Sequence, residues 1–117
     1  MTLKFDEVFS IMKKSFPQEE MRNYEGQKAL LERDDYFIKT YMHEDEVAGF
    51  CAYYKFDNFI YIEHLACNPE VRGLGIGTKL VQQVIAEDEN RVVILEVEPP
   101  VDELTKRRVR FYEKLGF

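Results

Sequence analysis

Phe59-Ile60-Tyr61-Ile62-Glu63-His64-Leu65-Ala66-Cys67, followed by Asn68-Pro69-Glu70-Val71 and then Arg72-Gly73-Leu74-Gly75-Ile76-Gly77, is the stretch on which the fold turns. Its first nine residues are rich in aromatic and β-branched side chains and read as a strand. Pro69 has no N–H to continue a ladder, so the strand ends at Cys67. Three glycines at alternate positions follow. Beyond them Ile76, Leu80, Val81, Val84 and Ile85 fall on one face of a helix, with Lys79, Gln82, Gln83 and Glu87 opposite. A glycine-rich loop that opens a helix suits an anion: glycine tolerates positive φ and lets a ligand approach the backbone, while the first-turn N–H groups have no intrahelical partner. The helix dipole favours a negative group there by about 0.3–1 kcal/mol, and by about 2 kcal/mol when partly buried. Two nucleotide motifs fail on register. The P-loop requires Gly-Lys-Ser/Thr where this chain has Gly77-Thr78-Lys79, and G-x-G-x-x-G requires glycine where this chain has Thr78.

Upstream, Phe5, Val8, Phe9, Met12 and Phe16 recur at helical spacing until Pro17, which predicts a helix over 5–15. A polar segment over 18–23 leads to a second, short helix over 24–33. Aromatic and β-branched runs at 36–41 and 47–55, separated by the turn residues 43–46, read as a hairpin, and with 59–67 they make an antiparallel meander. Downstream, 91–97 is a near-continuous apolar strand broken by Pro99-Pro100, and Asp102 caps a last helix reaching about residue 115. The order is helix, helix, three strands, helix, strand, helix. This is an α/β (α+β) chain with a mixed, mostly antiparallel sheet flanked by helices, and 117 residues make one domain.

Composition narrows the function. Hydrophobic residues at 45% are enough to bury a core, and a net charge of −6 disfavours nucleic acid as a partner. No run of about 18 apolar residues is present, and Lys4, Asp6 and Glu7 interrupt the place where a signal peptide would be apolar, so no membrane association and a cytoplasmic location are expected. Cys51 and Cys67 both lie in apolar runs and read as buried thiols. With His43 and His64 as the only histidines and no Cys-x-x-Cys, no metal site is expected.

The chain resembles the GNAT superfamily of acyl-CoA-dependent N-acyltransferases. Its signature Arg/Gln-x-x-Gly-x-Gly/Ala is matched by Arg72, Gly75 and Gly77, in the context of the preceding strand and of Phe111-Tyr112-Glu113-Lys114-Leu115-Gly116-Phe117 downstream. The resemblance covers roughly residues 36–117. It implies a sheet that splays between 59–67 and 91–97, with acetyl-CoA as cosubstrate entering the gap and a small-molecule or peptide amine as acceptor. Pyrophosphate would rest on the amides of Arg72, Gly73, Leu74, Gly75, Ile76, Gly77 and Thr78. Leu65, Ala66 and Cys67 would offer backbone N–H groups to the thioester and pantetheine, with Phe111 also on the cofactor side.

Acyl transfer needs a neutral amine, a polarised carbonyl and a proton for the leaving thiolate. Tyr112 matches the tyrosine this family often places near the CoA sulfur and is expected to be the general acid; the alternative is a core aromatic beside Phe111 and Leu115. Glu63 is expected to be the general base, the alternatives being a plain solvated strand carboxylate, or Glu96 and Glu98, which would share one face of the next strand. His64 would point opposite to Glu63 on a regular strand and is read as structural or solvent-facing. The cluster Lys106, Arg107, Arg108 and Arg110 reads as a solvated face rather than a contact to the nucleotide end.

Departures from the resemblance shape further expectations. Thr105 and Arg108 stand where the family commonly has Asn and Ala. The family's first strand is absent or confined to 2–4, and its two strands after the Gly-Phe at 116–117 have no counterpart here. The strand at 91–97 would then be an open edge, covered in a homodimer if copies associate. A catalytically silent acyl-CoA-binding or protein-interaction module is the alternative function. The acceptor wall would be built by 17–26, with Glu19, Glu20 and Arg22 as contacts, and the net charge leans towards a cationic amine.

Overall fold

Local chemistry sets the first elements of the chain, seen here in a computed structural model that describes residues 3–71 and 73–117. In α1 (Phe5–Ser15), Phe5, Val8, Ile11 and Met12 are buried along one stripe, while Asp6 and Glu7 at its start and Lys13 and Lys14 at its end complement the helix dipole. After Pro17 a 3₁₀ turn at Gln18–Glu20 leads to α2 (Tyr24–Ala29), where the Asn23 side chain accepts from the Gly26 N–H. A second 3₁₀ turn at Leu30–Glu32 takes over from α2, so the helix read over 24–33 is two pieces. Leu3 and Lys4 are outside any strand, and Thr2 lies outside the described residues.

β1 (Tyr36–His43), β2 (Glu46–Lys55) and β3 (Phe59–Cys67) form the antiparallel meander. His43 pairs with Glu46 across a two-residue turn in which Glu44 and Asp45 both have positive φ, 51° and 67°, the twist that a tight hairpin favours. α3 (Ile76–Ala86) then crosses over to β4 (Val92–Leu95), which pairs parallel to β3, and α4 (Glu103–Lys114) follows. The sheet order is β1-β2-β3-β4, mixed and mostly antiparallel as expected. β4 is four residues rather than the seven read at 91–97, and Val92 and Ile94 on it are exposed. None of the described helices is long and apolar enough to cross a membrane.

β2 is buried from Val47 to Tyr53 because both of its faces are covered. On one side α1 places Val8, Ile11 and Met12 against Tyr36, Phe50, Ala52 and Ala66. On the other, α3 places Ile76, Leu80, Val81 and Val84 against Cys51, Tyr53, Ile60 and Ile62, with Tyr112 and Leu115 of α4 joining them. Gly49 lets α3 come this close: a Cβ there would lie 2.7 Å from Ile76 Cγ2 and 3.1 Å from the Ala66 carbonyl oxygen.

One irregularity in β3 determines what the site contains. Ala52 pairs with His64 while Tyr53 pairs with Ile62, so Glu63 is an extra residue with no opposite number. Such a bulge moves every later side chain to the other face. Before it, Ile60 and Ile62 pack on the α3 side; after it, Leu65 and Cys67 pack there and Ala66 joins the α1 side.

Candidate active site

The last pair of β3 with β4 is Ile62–Leu95, so among the described residues β4 does not continue alongside β3 from Glu63 onward. The expected splay is therefore present, and a cleft of about 950 Å³ occupies it. Residues 63–67 form one wall and 95–98 the other. Gly73, Leu74, Gly75 and Ile76 close one end, Lys14, Ser15, Phe16 and Glu20 line the α1 side, and Arg108, Phe111 and Tyr112 enter from α4.

The loop end is built by backbone. The Asn68 side chain accepts from the Glu70 N–H at 3.1 Å and its carbonyl from the Val71 N–H at 3.0 Å, turning the chain after β3. Gly73 and Gly75 have φ of 80° and 65°, and among the described residues nothing lies within 4 Å of a Cβ at either; conformation rather than crowding calls for glycine there. Gly75 caps α3 without a side-chain hydrogen bond, which leaves first-turn N–H groups of α3 available at this end. Gly77 has a different reason to be glycine. It is helical, and a Cβ on it would lie 3.2 Å from Phe111 Cζ, so it makes room for the α4 ring that lines the cleft. Gly77 and Thr78 are not themselves among the lining residues, and Arg72 lies outside the described residues.

Glu63 is tied up by charge. Arg22 Nη1 and Nη2 donate to its two carboxylate oxygens at 2.8 Å each, and the Tyr36 hydroxyl donates to Oε1 at 3.1 Å. Arg22 is held in turn by Gln27 Oε1 at 3.2 Å, and the fully buried Gln27 donates to the Tyr36 oxygen at 2.7 Å. Burial would raise the Glu63 pKa, but the Arg22 hydrogen bonds and charge, with His64 and Tyr36, outweigh it and hold the carboxyl below its ordinary value. Both oxygens are committed to a guanidinium fork, which counts against direct proton transfer to Glu63. Arg22, expected as a contact on the acceptor wall, is bonded here to Glu63 at the bulge.

His64 is placed differently from its reading on a regular strand. The bulge brings it to the same side as Glu63: it is 8% exposed, lines the cleft, and has Nε2 3.5 Å from Glu63 Oε1. Phe16, just after α1, packs against the imidazole with ring centroids 4.8 Å apart. Burial lowers the His64 pKa and the Arg22 charge adds to this, against the opposing pull of Glu63, so the ring is neutral at pH 7.

Tyr112 lines the cleft with its ring edge-on to Phe111 and Phe117, at 5.1 and 5.9 Å. Burial, with Cys51 and Cys67 and against Arg108, pushes its hydroxyl up to about 12, so it is protonated at neutral pH. Glu96 and Glu98 lie beyond the end of β4, so strand alternation does not orient them; both line the cleft, and Glu98 pairs with Arg108 at 3.4 Å. Of the basic cluster, Arg108 alone reaches the cleft lining. Thr105 is occupied in a capping box: its N–H donates to Asp102 Oδ1 at 2.8 Å and its hydroxyl accepts from the Asp102 N–H at 3.0 Å.

A mixed sheet splayed over a cleft, with a glycine loop and an uncapped helix N-terminus at one end, is a frame for an acyl carrier with an anionic tail. Residues 5–117 match the acetyltransferase (GNAT) family model, and the chain belongs to that family. It is 37% identical over 107 residues to "Putative acetyltransferase YjbC" of Bacillus subtilis (strain 168), covering 87% of this chain and 52% of that protein. A solved structure from Bacteroides thetaiotaomicron, described as "Putative acetyltransferase from GNAT family", is 34% identical with a TM-score of 0.84, covering 96% of this chain and 64% of that one. The ribosomal-protein-S18-alanine N-acetyltransferase of Escherichia coli, at 20% identity, shares the fold with a TM-score of 0.78 over 99% of this chain and 72% of its own. The chain thus spans about half the length of the curated relative it matches.

Proposed function

We propose that the protein is an N-acetyltransferase that moves an acetyl group from acetyl-CoA to a primary amine by direct transfer in a ternary complex. The observation that carries this reading is the cleft where β3 and β4 part, which runs from the glycine loop to Tyr112. The pyrophosphate of acetyl-CoA would be held at the loop end by the backbone of 73–77 and the α3 dipole. The stretch of β3 at Leu65, Ala66 and Cys67, past the last pair with β4, would take the pantetheine amides and stabilise charge growing on the thioester oxygen. Tyr112, protonated and in the same cleft, would give the departing sulfur its proton. Glu20, Glu96 and Glu98 along the cleft favour a cationic acceptor.

Calorimetric titration with acetyl-CoA tests the frame. Saturable binding with a dissociation constant on the order of micromolar, or about −8 kcal/mol, is expected. Dephospho-CoA is expected to bind almost as well, because the loop addresses the pyrophosphate rather than the ribose phosphate. A folded sample that takes up no heat with either would remove the reading.

A further inference from the structure

The bulge in β3 leaves an imidazole in the cleft to which the family match assigns no task. On an unbroken strand, Glu63 and His64 would point to opposite faces. The extra residue puts both on the α1 side, with Nε2 of His64 3.5 Å from Glu63 Oε1 and the ring against Phe16. Arg22 occupies both Glu63 oxygens at 2.8 Å, so on this wall the imidazole is the basic group not engaged by a guanidinium.

We propose that His64 accepts the proton the amine loses, and that Glu63, clamped by Arg22, is the positioning anion that orients the ring and stabilises it once protonated. The inference rests on the acetyl-transfer reading of the cleft and deepens it. The division of labour follows the logic of a histidine backed by a carboxylate: the buried anion stays charged and the ring carries the proton. The charged groups that act on the ring are Glu63 on β3 and Arg22 ahead of α2, with the Tyr36 hydroxyl of β1 bound to Glu63; along the cleft are Lys14 of α1, Glu20 of the first 3₁₀ turn, Glu96 and Glu98 beyond β4, and Arg108 of α4. Burial and Arg22 favour the neutral ring, so it is ready to accept at pH 7, and Glu63 offsets part of the cost of charging it.

An ammonium acceptor gives one N–H proton to the unprotonated ring nitrogen of His64. The freed lone pair forms the C–N bond to the thioester carbon as the C–S bond breaks, and the C–S electron pair leaves with sulfur. Sulfur takes the Tyr112 hydroxyl proton. A second proton, shed by nitrogen as the amide forms, returns to the Tyr112 oxygen through water, and the imidazolium releases its proton to solvent.

The test combines rates with a direct titration of the ring. Acetyl-CoA-dependent thiol release is followed against pH with spermidine and with a lysine-containing peptide, for the wild type, His64→Asn and Glu63→Gln. The His64 ring is titrated by NMR in wild type and Glu63→Gln, His43 being the other histidine to assign. The expected result is an acid limb in kcat/KM whose midpoint lies below the ordinary histidine value of about 6.5 and coincides with the NMR midpoint. His64→Asn should lower kcat by about 10²-fold or more, abolish that limb and leave acetyl-CoA affinity unchanged. Glu63→Gln removes the charge that raises the ring's pKa, so both midpoints should move further down. Wild-type turnover with an unaltered rate and acid limb in His64→Asn overturns the His64 assignment and leaves acetyl transfer standing. A wild type that neither binds acetyl-CoA nor releases thiol overturns both. A ring that titrates at the ordinary value and is unmoved by Glu63→Gln overturns the proposal whatever the rates, and needs no His64 variant to fold.

Discussion

Replacing Tyr112 with Phe is expected to lower turnover by about 10²–10⁴-fold while leaving acetyl-CoA affinity within about threefold. The substitution removes one oxygen and keeps the ring that packs against Phe111, Phe117 and the α3 cluster, so binding and folding should be spared. A hydroxyl pushed up to about 12 is a reluctant donor. Against a free thiol near 8.5 the proton transfer would be uphill by about 5 kcal/mol. The CoA sulfur would sit beside the same buried hydroxyl, however, and desolvation raises a thiol's pKa as it raises a phenol's, which narrows the gap. Steady-state rates and a binding isotherm for the variant decide the matter. Equal turnover would mean that water, rather than Tyr112, protonates the sulfur.

Gly49→Ala should be among the most damaging single substitutions in the sheet. The added methyl would meet Ile76 Cγ2 at 2.7 Å and a backbone oxygen at 3.1 Å, neither of which can swing aside cheaply. Overpacking of this kind costs about 2–3 kcal/mol, or about 10 °C in Tm for a chain of this size. Because Ile76 is the first residue of α3, the same push displaces the helix end that would hold pyrophosphate. Thermal unfolding followed alongside acetyl-CoA titration should therefore show stability and affinity falling together. A variant with wild-type Tm would show that α3 does not approach the sheet as closely as its side chains indicate.

The elements of this fold were legible where the signal is local. The stripe of Phe5, Val8 and Met12 ended by Pro17 gives α1, and the run closed by Asn68-Pro69 gives β3, both with the boundaries read from the sequence. The site was legible only in outline. Nothing in Tyr61-Ile62-Glu63-His64-Leu65 announces an extra residue, because a bulge is a property of register against β2, and so the shared face of Glu63 and His64 could not be read. The Arg22–Glu63 fork joins residues 41 apart and has no sequence signature either. Gly77 was legible as a glycine but for the wrong reason: the loop suggested backbone freedom, whereas the ring of Phe111 sets the demand from a helix 34 positions away. Strand alternation is not what sets Glu96 and Glu98, because β4 stops at Leu95, yet both line the cleft.

The central strand also fixes how the molecule comes apart. β2 contributes Phe50 and Ala52 to one core cluster and Cys51 and Tyr53 to the other, so neither layer can melt while the other keeps its strand. Cys51 is wholly buried, and burial, with Glu87 and against Lys39, pushes its thiol up to about 12. Alkylating reagents need both access and a thiolate, and Cys51 gains both only when the sheet opens. Its rate of modification in native buffer therefore reports cooperative opening, with no denaturant. The same concealment keeps Cys51 from contributing background to thiol-release assays of the folded protein.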